Sequence, residues 1–341
     1  MATRLEMSLT ACDAEAAPQR REAELIRATK PFAQEQRGRS WWHLRSTIAV
    51  LLGAVVSTLF PTPWPLRMGL SSLAGLVLVR MFVLYHDYNH GILLQKSQIA
   101  KLIMLGFGVL TMNPPSTWKR SHNHHHRNNA KIFGSHIGSF PVMTTEGYAA
   151  ASSRQRAFYA LSRHPLTILL GYWTVFFYGM CLKPFISEPR KHPDCGVALA
   201  LQVATVASLA LFAPAILLFS YVLPMGIAAA LGAYLFYSQH NFPGVKLQGR
   251  ADWSFSYAAV HSSSYTAMGP VLRWFTGNIG YHHVHHLNAQ IPFYRLPEAM
   301  SSIRELQAIR PIRLRPRDIY HCFRLKLWDP KRDQMVSFRD V

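Results

Sequence analysis

Cysteine is scarce in this sequence of 341 residues, which has four cysteines and none spaced as CxxC. This excludes a rubredoxin-like or iron–sulfur module by cysteine spacing and disfavours a disulfide framework. The sequence also has no Walker A loop, and Gly106-Phe107-Gly108 lacks the third glycine of a dinucleotide fingerprint. Any redox chemistry of this chain would therefore take its electrons from a separate partner.

Charged residues are the second shortage, at 16% of the chain, whereas 50% of the residues are hydrophobic. This composition excludes an ordinary soluble protein and indicates a membrane protein. Lys and Arg number 36 against 17 Asp and Glu. Almost all of these basic residues fall in residues 1–45, 87–165, 188–195 and 241–341. The positive-inside rule predicts such segregation and places all four stretches in the cytosol, whereas nucleic-acid binding does not predict it.

Four membrane crossings are predicted from the apolar runs. The segments that form them are residues 42–60, residues 66–85 and, as two crossings, residues 196–239. A hinge is expected at Ser220–Pro224, in the middle of the longest run. Residues 99–112 are too short to span a membrane. A single crossing by residues 166–185 would place the histidine motifs on opposite sides of the membrane, so this segment is not expected to cross if the motifs share one compartment. Both segments are therefore assigned as interfacial or re-entrant. Arg80, near one end of its run, is expected to snorkel to the membrane surface.

The ends of the chain are polar. Residues 1–40 have no apolar segment behind a basic start, which argues against a cleaved signal peptide. They are interpreted as a cytosolic tail with a helix from about Glu22 to Gln36. Residues 41–310 form the membrane domain. Residues 311–341 form a basic C-terminal tail, which suits either solvent or contact with anionic headgroups.

Histidine, in contrast, is plentiful, with 17 residues. Eight of them form three motifs at helical spacing: His86 and His90; His122, His125 and His126; His282, His285 and His286. Residues at i, i+3 and i+4 share one face of a helix, so each motif offers imidazoles as metal ligands. His240 ends the last apolar run and is a ninth candidate. A zinc site uses about four ligands, so nine histidines predict two metal ions. Imidazole suits zinc, copper, iron and nickel, and does not choose among them.

Residues beside the motifs are candidates for supporting roles. Metal-bound histidines donate their second ring N–H to a nearby acceptor. The candidate acceptors are Asp87, Asn123, Asn128 and Asn278. The candidates for lining a substrate channel are Trp118, Tyr281 and Phe293, each of which also suits an ordinary apolar core. No catalytic side chain beyond the metal centre is predicted.

The motifs and their placement resemble those of the membrane fatty acid desaturase family over about residues 40–300. The matching sequences are His86-Asp87-x-x-His90-Gly91, Trp118-Lys119-Arg120-Ser121-His122-x-x-His125-His126, Gln239-His240 and His282-His283-Val284-His285-His286-Leu287. The first motif is most similar to the methyl-end, acyl-lipid branch. The resemblance implies an all-α integral membrane protein. In it, four transmembrane helices with interfacial or re-entrant segments carry a cytosolic, histidine-rich di-metal cap.

The resemblance also implies the chemistry. It implies two iron ions (Fe2+/Fe3+) bound by the nine histidines, and an O2-dependent reaction that places a cis double bond in an acyl chain. The substrate would be an acyl-lipid, an acyl-CoA or an acyl carrier protein, with a ferredoxin or cytochrome as electron donor. A bacterial inner membrane is the expected location, with the motifs and both termini in the cytosol. One departure is Phe236, where the animal acyl-CoA branch has an asparagine that helps hold a metal through water.

Two other functions stay open at the level of sequence. Alkane, sterol and carotenoid hydroxylases or ketolases use the same scaffold and insert oxygen after the first hydrogen abstraction. A non-enzymatic membrane metal carrier is the other alternative. A carrier needs polar ligands along a path through the mid-membrane, and the apolar runs contain almost none.

Overall fold

The computed structural model describes residues 22–132 and 137–341, which are mostly helical. Residues 22–29 are helical and end in a 3-10 turn at Lys30–Phe32, because Pro31 cannot continue a helix. The predicted helix to Gln36 is therefore too long. The later helices are α1 (Arg37–Ser57), α2 (Trp64–Asn89), α3 (Gln98–Leu110), α4 (Pro115–Asn128), α5 (Thr145–Ala150), α6 (Ser153–Ser162), α7 (Pro165–Leu169), α8 (Lys183–Ser187), α9 (Pro193–Phe212), α10 (Pro214–His240), α11 (Phe255–His261), α12 (Pro270–Phe275), α13 (His282–Leu287), α14 (Leu296–Ser302), α15 (Arg304–Gln307) and α16 (Pro316–Arg324).

Three of the described helices, α2, α9 and α10, are long and apolar enough to cross a membrane. Residues 196–239 form two helices as predicted, but the break lies at Ala213 and not at Ser220–Pro224. The predicted hinge is therefore wrong. Pro214 begins α10, where a missing backbone N–H costs nothing. Pro224 is tolerated inside α10 because the wide π-helical turns at Leu217–Val222 precede it.

The two segments predicted not to cross singly are short or broken helices. The first is α3, with 13 residues. The second is divided among α7, π-helical turns at Tyr172–Leu182, and α8. These π-helical turns pack against α9 and α10. Neither segment forms one of the long apolar helices found in the described residues.

Short strands fasten the C-terminal segment to the rest of the fold. They are β1 (Met143–Thr144), β2 (Thr266–Ala267), β3 (Ile312–Arg313), β4 (Leu327–Asp329) and β5 (Gln334–Val336). β1 runs parallel to β4, which pairs antiparallel with β5, and β2 runs parallel to β3. Leu327 and Trp328 are buried, so the segment after residue 311 packs onto the rest of the fold through its apolar side chains.

The helices α1, α2 and α10 pack together, and the core extends from them into the histidine-rich region. Arg80 of α2 does not snorkel, contrary to expectation, because its guanidinium is buried and hydrogen-bonded within the protein. Its Nε donates to Thr47 Oγ1 at 3.0 Å, and it also donates to the Trp274 carbonyl. Arg80 therefore connects α1 and α2 to the segment that precedes the third histidine motif.

Candidate metal centre

The first motif lies at the end of α2, where His86 is buried and His90 caps the helix. The helix stops there because Gly91 adopts the left-handed conformation, with φ of +80°. His86 Nδ1 lies 3.0 Å from Asp87 Oδ1, and the Phe293 N–H donates to Asp87 Oδ2 at 2.7 Å. When Asp87 is ionised its carboxylate only accepts, so the ring proton sits on Nδ1, and Nε2 presents a lone pair.

The second motif occupies α4, which begins at Pro115 and is fastened to the start of α9. The Ser116 N–H donates to Asp194 Oδ2 at 2.9 Å, and Ser116 Oγ lies 2.8 Å from His192 Nδ1. The bond to Asp194 satisfies one of the N–H groups in the first turn of α4, which have no partner within the helix. Trp118 stacks on His122, with ring centroids 4.4 Å apart.

The third motif occupies α13, a helix of six residues after a sharp turn. Gly277 and Asn278 make this turn with φ of +50° and +55°. The conformation is natural for glycine and tolerated by asparagine. The inward-facing residues are His282, His285 and His286. His283 points to the other side, where its ring lies 5.6 Å from that of Tyr265.

His240 ends α10 and joins the same region. Its Nδ1 lies 3.0 Å from the backbone carbonyl of Ser262, which fixes the proton there and leaves Nε2 as an acceptor. Gln239 Nε2 donates to the Ile279 carbonyl at 3.3 Å and links α10 to the turn before α13. Sequence patterns do not reveal the Ser262 contact, because any residue type offers a backbone carbonyl.

The structure brings all nine predicted histidines together, in two groups whose ligand atoms lie within 4.8 Å of one another. The five-histidine group contains His86, His90, His122, His126 and His285. The four-histidine group contains His125, His240, His282 and His286. In the second and third motifs alike, the i, i+4 pair joins one group, and the histidine at i+3 joins the other. Each of these motifs therefore serves both groups.

The spacing of the nitrogen atoms tests whether a metal fits. The four Nε2 atoms of the four-histidine group form a ring with sides of 3.0 Å (His125–His240), 3.0 Å (His240–His282), 3.1 Å (His282–His286) and 3.2 Å (His286–His125). Neighbouring ligands at right angles around a metal with bonds of about 2.1 Å would be about 3.0 Å apart, against about 3.4 Å in a tetrahedral site. His240 Nε2 carries no proton, so it offers its lone pair to a cation at the centre of this ring.

Burial and mutual repulsion keep the rings of the second and third motifs neutral. The histidines concerned are His122, His125, His126, His282, His285 and His286, each with a pKa well below the usual 6.5. Burial is the larger cause, since it removes the water that would solvate an imidazolium, and the neighbouring rings add to it. Neutral imidazole is the form that binds metal, so the sites are ready for ions at physiological pH.

An apolar cavity of about 360 Å³ reaches these histidines. It lies between α2, α10 and the π-helical turns at Tyr172–Leu182, and His86, His122 and His282 line one end. The wall contributed by α10 consists partly of the small residues Ala228, Ala229, Gly232 and Ala233. A narrow groove for an unbranched apolar chain is the shape that such small residues permit.

Of the predicted ring acceptors, only Asp87 is hydrogen-bonded to a histidine ring among the described residues. Asn128 Nδ2 donates to the His124 carbonyl at 2.9 Å, and Asn278 Nδ2 donates to the Phe293 carbonyl at 3.1 Å. The prediction is therefore wrong for these two amides, which bind backbone carbonyls instead. Asn123 makes no hydrogen bond to a ring within residues 22–132 and 137–341.

Of the three channel candidates, Trp118 lines the cavity, while Tyr281 and Phe293 do not. Tyr281 stacks on Tyr265 at 5.1 Å, and Phe293 packs on His43 at 5.1 Å, so the prediction is wrong for both. The aromatic residues that line the cavity and were not predicted are Phe82, Phe107, Phe140, Tyr172, Phe176 and Phe236. No sequence signal separates these from the other aromatic residues of the chain.

Known proteins share these features. The family model for fatty acid desaturases matches residues 62–316. A fatty acid desaturase of Bacillus subtilis is 30% identical over 331 residues, which cover 94% of this chain and 92% of that protein. An sn-1 oleoyl-lipid 12-desaturase of Anabaena variabilis is 24% identical over 84% of this chain and 83% of its own length. An oleoyl-12-hydroxylase of Ricinus communis is 23% identical over 68% of this chain and 64% of its own length. The chain belongs to the fatty acid desaturase family, and its members are oxidoreductases.

Proposed function

We propose that the protein introduces a cis double bond into a lipid-linked acyl chain, with O2 as the oxidant. The observation that carries this proposal is the contact between the apolar cavity and the histidine groups. One histidine from each motif lines the cavity: His86, His122 and His282. A volume of about 360 Å³ lies in the range of small-molecule sites. Apolar walls suit a methylene chain, and the metals would meet it at the histidine end.

We propose iron as the metal, with one ion in each histidine group. Right-angle spacing of the nitrogen atoms favours a metal with five or six ligands over tetrahedral zinc. The five-histidine group offers similar spacing, with 3.0 Å from His90 Nε2 to His122 Nε2 and 3.0 Å from His122 Nε2 to His126 Nε2. When bound, the two iron ions would supply the oxidising power that removes two hydrogen atoms from the acyl chain.

The overall reaction balances as –CH2–CH2– plus O2, two electrons and two protons, giving –CH=CH– and two water molecules. The protein positions the reactants. The cavity holds the chain with its methylene groups facing the histidines, which lowers the entropy cost of the reaction. Its apolar walls keep water from the reacting carbons. Asp87 and the Ser262 carbonyl fix the rings of His86 and His240.

We propose four crossings, α1, α2, α9 and α10, in a bacterial inner membrane with the histidine groups and both termini in the cytosol. With 21 residues, α1 is about 32 Å long, enough for one crossing. The turns from α1 to α2 and from α9 to α10 contain no charged residue, as expected for the outer side.

Lipid would enter from the bilayer, and a ferredoxin or cytochrome would deliver electrons from the cytosol. An acyl-lipid is favoured over acyl-CoA or acyl carrier protein, since three relatives are named sn-1 oleoyl-lipid 12-desaturases.

Hydroxylation is the second candidate, because one relative is named an oleoyl-12-hydroxylase. The two reactions begin with the same hydrogen abstraction, so they make the same demands on the cavity. The carrier alternative has less support. The histidine groups lie at the ends of α2 and α10, with no ligand cluster along the middle of these helices among the described residues.

The fatty-acid profile of whole-cell lipids tests the proposal. The chain would be expressed with a ferredoxin in a bacterium that makes only saturated and monounsaturated acyl chains. His285→Ala with His286→Ala serves as the inactive variant, and His261→Ala, at an exposed histidine of α11, as the matched control. We expect a new double bond with the unchanged chain and the control only. Hydroxylated products would establish the second candidate, and unchanged lipids without bound iron would disprove both.

A further inference from the structure

A second, smaller cavity lies next to the four-histidine group. It has a volume of about 40 Å³, and His125 and His240 line it. The apolar cavity of about 360 Å³ is called the acyl cavity below. The smaller one is called the polar cavity, because polar and charged residues, among them Asn129, Lys131 and Arg163, line it beside apolar ones. The two cavities share three wall residues, Ser139, Phe140 and Phe236. The four-histidine group therefore has an apolar cavity and a polar cavity as neighbours.

The polar cavity suits water. One water molecule needs about 10–15 Å³ of such space, so a volume of about 40 Å³ admits about three. Arg163 is fully buried, and its Nε has no hydrogen-bond partner among the described residues. Its other nitrogens donate to protein oxygens, including the Pro141 carbonyl at 2.7 Å. A buried, unpaired N–H of a cation is costly, and a water molecule in this cavity would satisfy it.

Phe236 stands where the two cavities meet. Its ring centroid lies 5.4 Å from that of His125, 6.3 Å from that of His240 and 6.0 Å from that of Phe140. Phe140 is held in turn by Tyr237, at 5.1 Å with the rings nearly perpendicular. Two phenyl rings offer water no hydrogen bonds, so they form an apolar wall beside the histidines.

We infer that Phe236 and Phe140 form a partition that keeps the water of the polar cavity out of the acyl cavity. For its chemistry this inference rests on the proposed function. Desaturation consumes one O2 and two electrons for each double bond and forms two water molecules. The competing reaction, in which O2, two electrons and two protons give H2O2, yields no double bond. An intact partition would let water leave on the polar side without wetting the reacting carbons.

The first test uses metal-free protein and needs no turnover. A short acyl chain carrying a solvatochromic naphthalene dye is bound in the acyl cavity, and the emission maximum is measured. We expect Phe236→Ala and Phe140→Ala to move the emission to longer wavelength, because each connects the cavities. Phe176→Ala is the matched control: it removes the same side chain from a wall that only the acyl cavity touches. Equal shifts in all three variants, or no shift in the first two, would overturn the inference.

The second test measures H2O2 released per O2 consumed by the iron-loaded protein with its electron donor. Phe236→Ala is expected to raise this ratio several-fold, whereas Phe236→Leu, which keeps the wall apolar and filled, is expected to leave it near the original value. A ratio that both variants raise equally would contradict the partition. If the unchanged protein makes no double bond, the proposed function fails, yet the dye measurement still decides whether the partition exists.

Discussion

Asp87 allows a quantitative prediction, because one carboxylate binds two groups from different parts of the chain. It is 1% exposed, accepts from His86 Nδ1 and accepts from the Phe293 N–H. In Asp87→Asn the side-chain oxygen can serve one donor, and the amide NH2 must then face the other. One hydrogen bond is lost and two donors are opposed, at a cost of about 1–3 kcal/mol. If this cost is subtracted from the free energy of iron binding, the iron affinity of the five-histidine group falls about 10- to 100-fold.

The assay is an iron titration of metal-free protein, with bound iron measured after removal of free metal. Asp252→Asn serves as the control, since the Asp252 side chain is exposed. We expect the iron equivalent in the four-histidine group to bind as in the unchanged protein, while the equivalent in the five-histidine group binds more weakly. Equal affinity for both equivalents in Asp87→Asn and in the control would refute the argument that the carboxylate holds His86 for the metal.

Three further predictions concern the cavity, the four-histidine group and acid stability. Gly232→Leu, in the cavity wall, is expected to lower the amount of unsaturated product at least about tenfold without loss of iron. Gly226→Leu, on the exposed face of the same helix, is expected to leave the product unchanged. Lipid analysis and iron content check both variants. His240→Ala is expected to lower bound iron from two ions to about one per chain, measured by elemental analysis. The folded pKa values of the second- and third-motif histidines lie below 6.5, so the unfolded chain binds more protons below that pH. The free energy of unfolding of metal-free protein should therefore fall as pH drops below about 6.5 and stay level above 7; a denaturation midpoint that is flat or rises from pH 7 to 5 would contradict this.

The histidine motifs were predictable because their spacing is a local property. Ligands three and four residues apart share a helix face wherever the helix goes. Their division between two groups was not predictable. His125 and His126 are neighbours in sequence yet join different groups, as do His285 and His286. Adjacent side chains on a helix point about 100° apart, and which direction meets which partner depends on how α4 faces α13.

The acyl cavity illustrates a different limit. The sequence predicts that residues 166–185 do not form a single membrane crossing, and it assigns this segment no function. In the structure their π-helical turns form one wall of the cavity, and small residues of α10 form another. The two come so close that a Cβ on Gly171 would lie 2.6 Å from the Ala233 Cβ. Composition along one segment cannot show this, because an alanine facing lipid and an alanine facing a substrate chain are both apolar. The cavity forms where the π-helical turns meet the face of α10 that carries small side chains. Substitutions that change the width of the cavity should therefore alter the product while leaving the metal ligands unchanged.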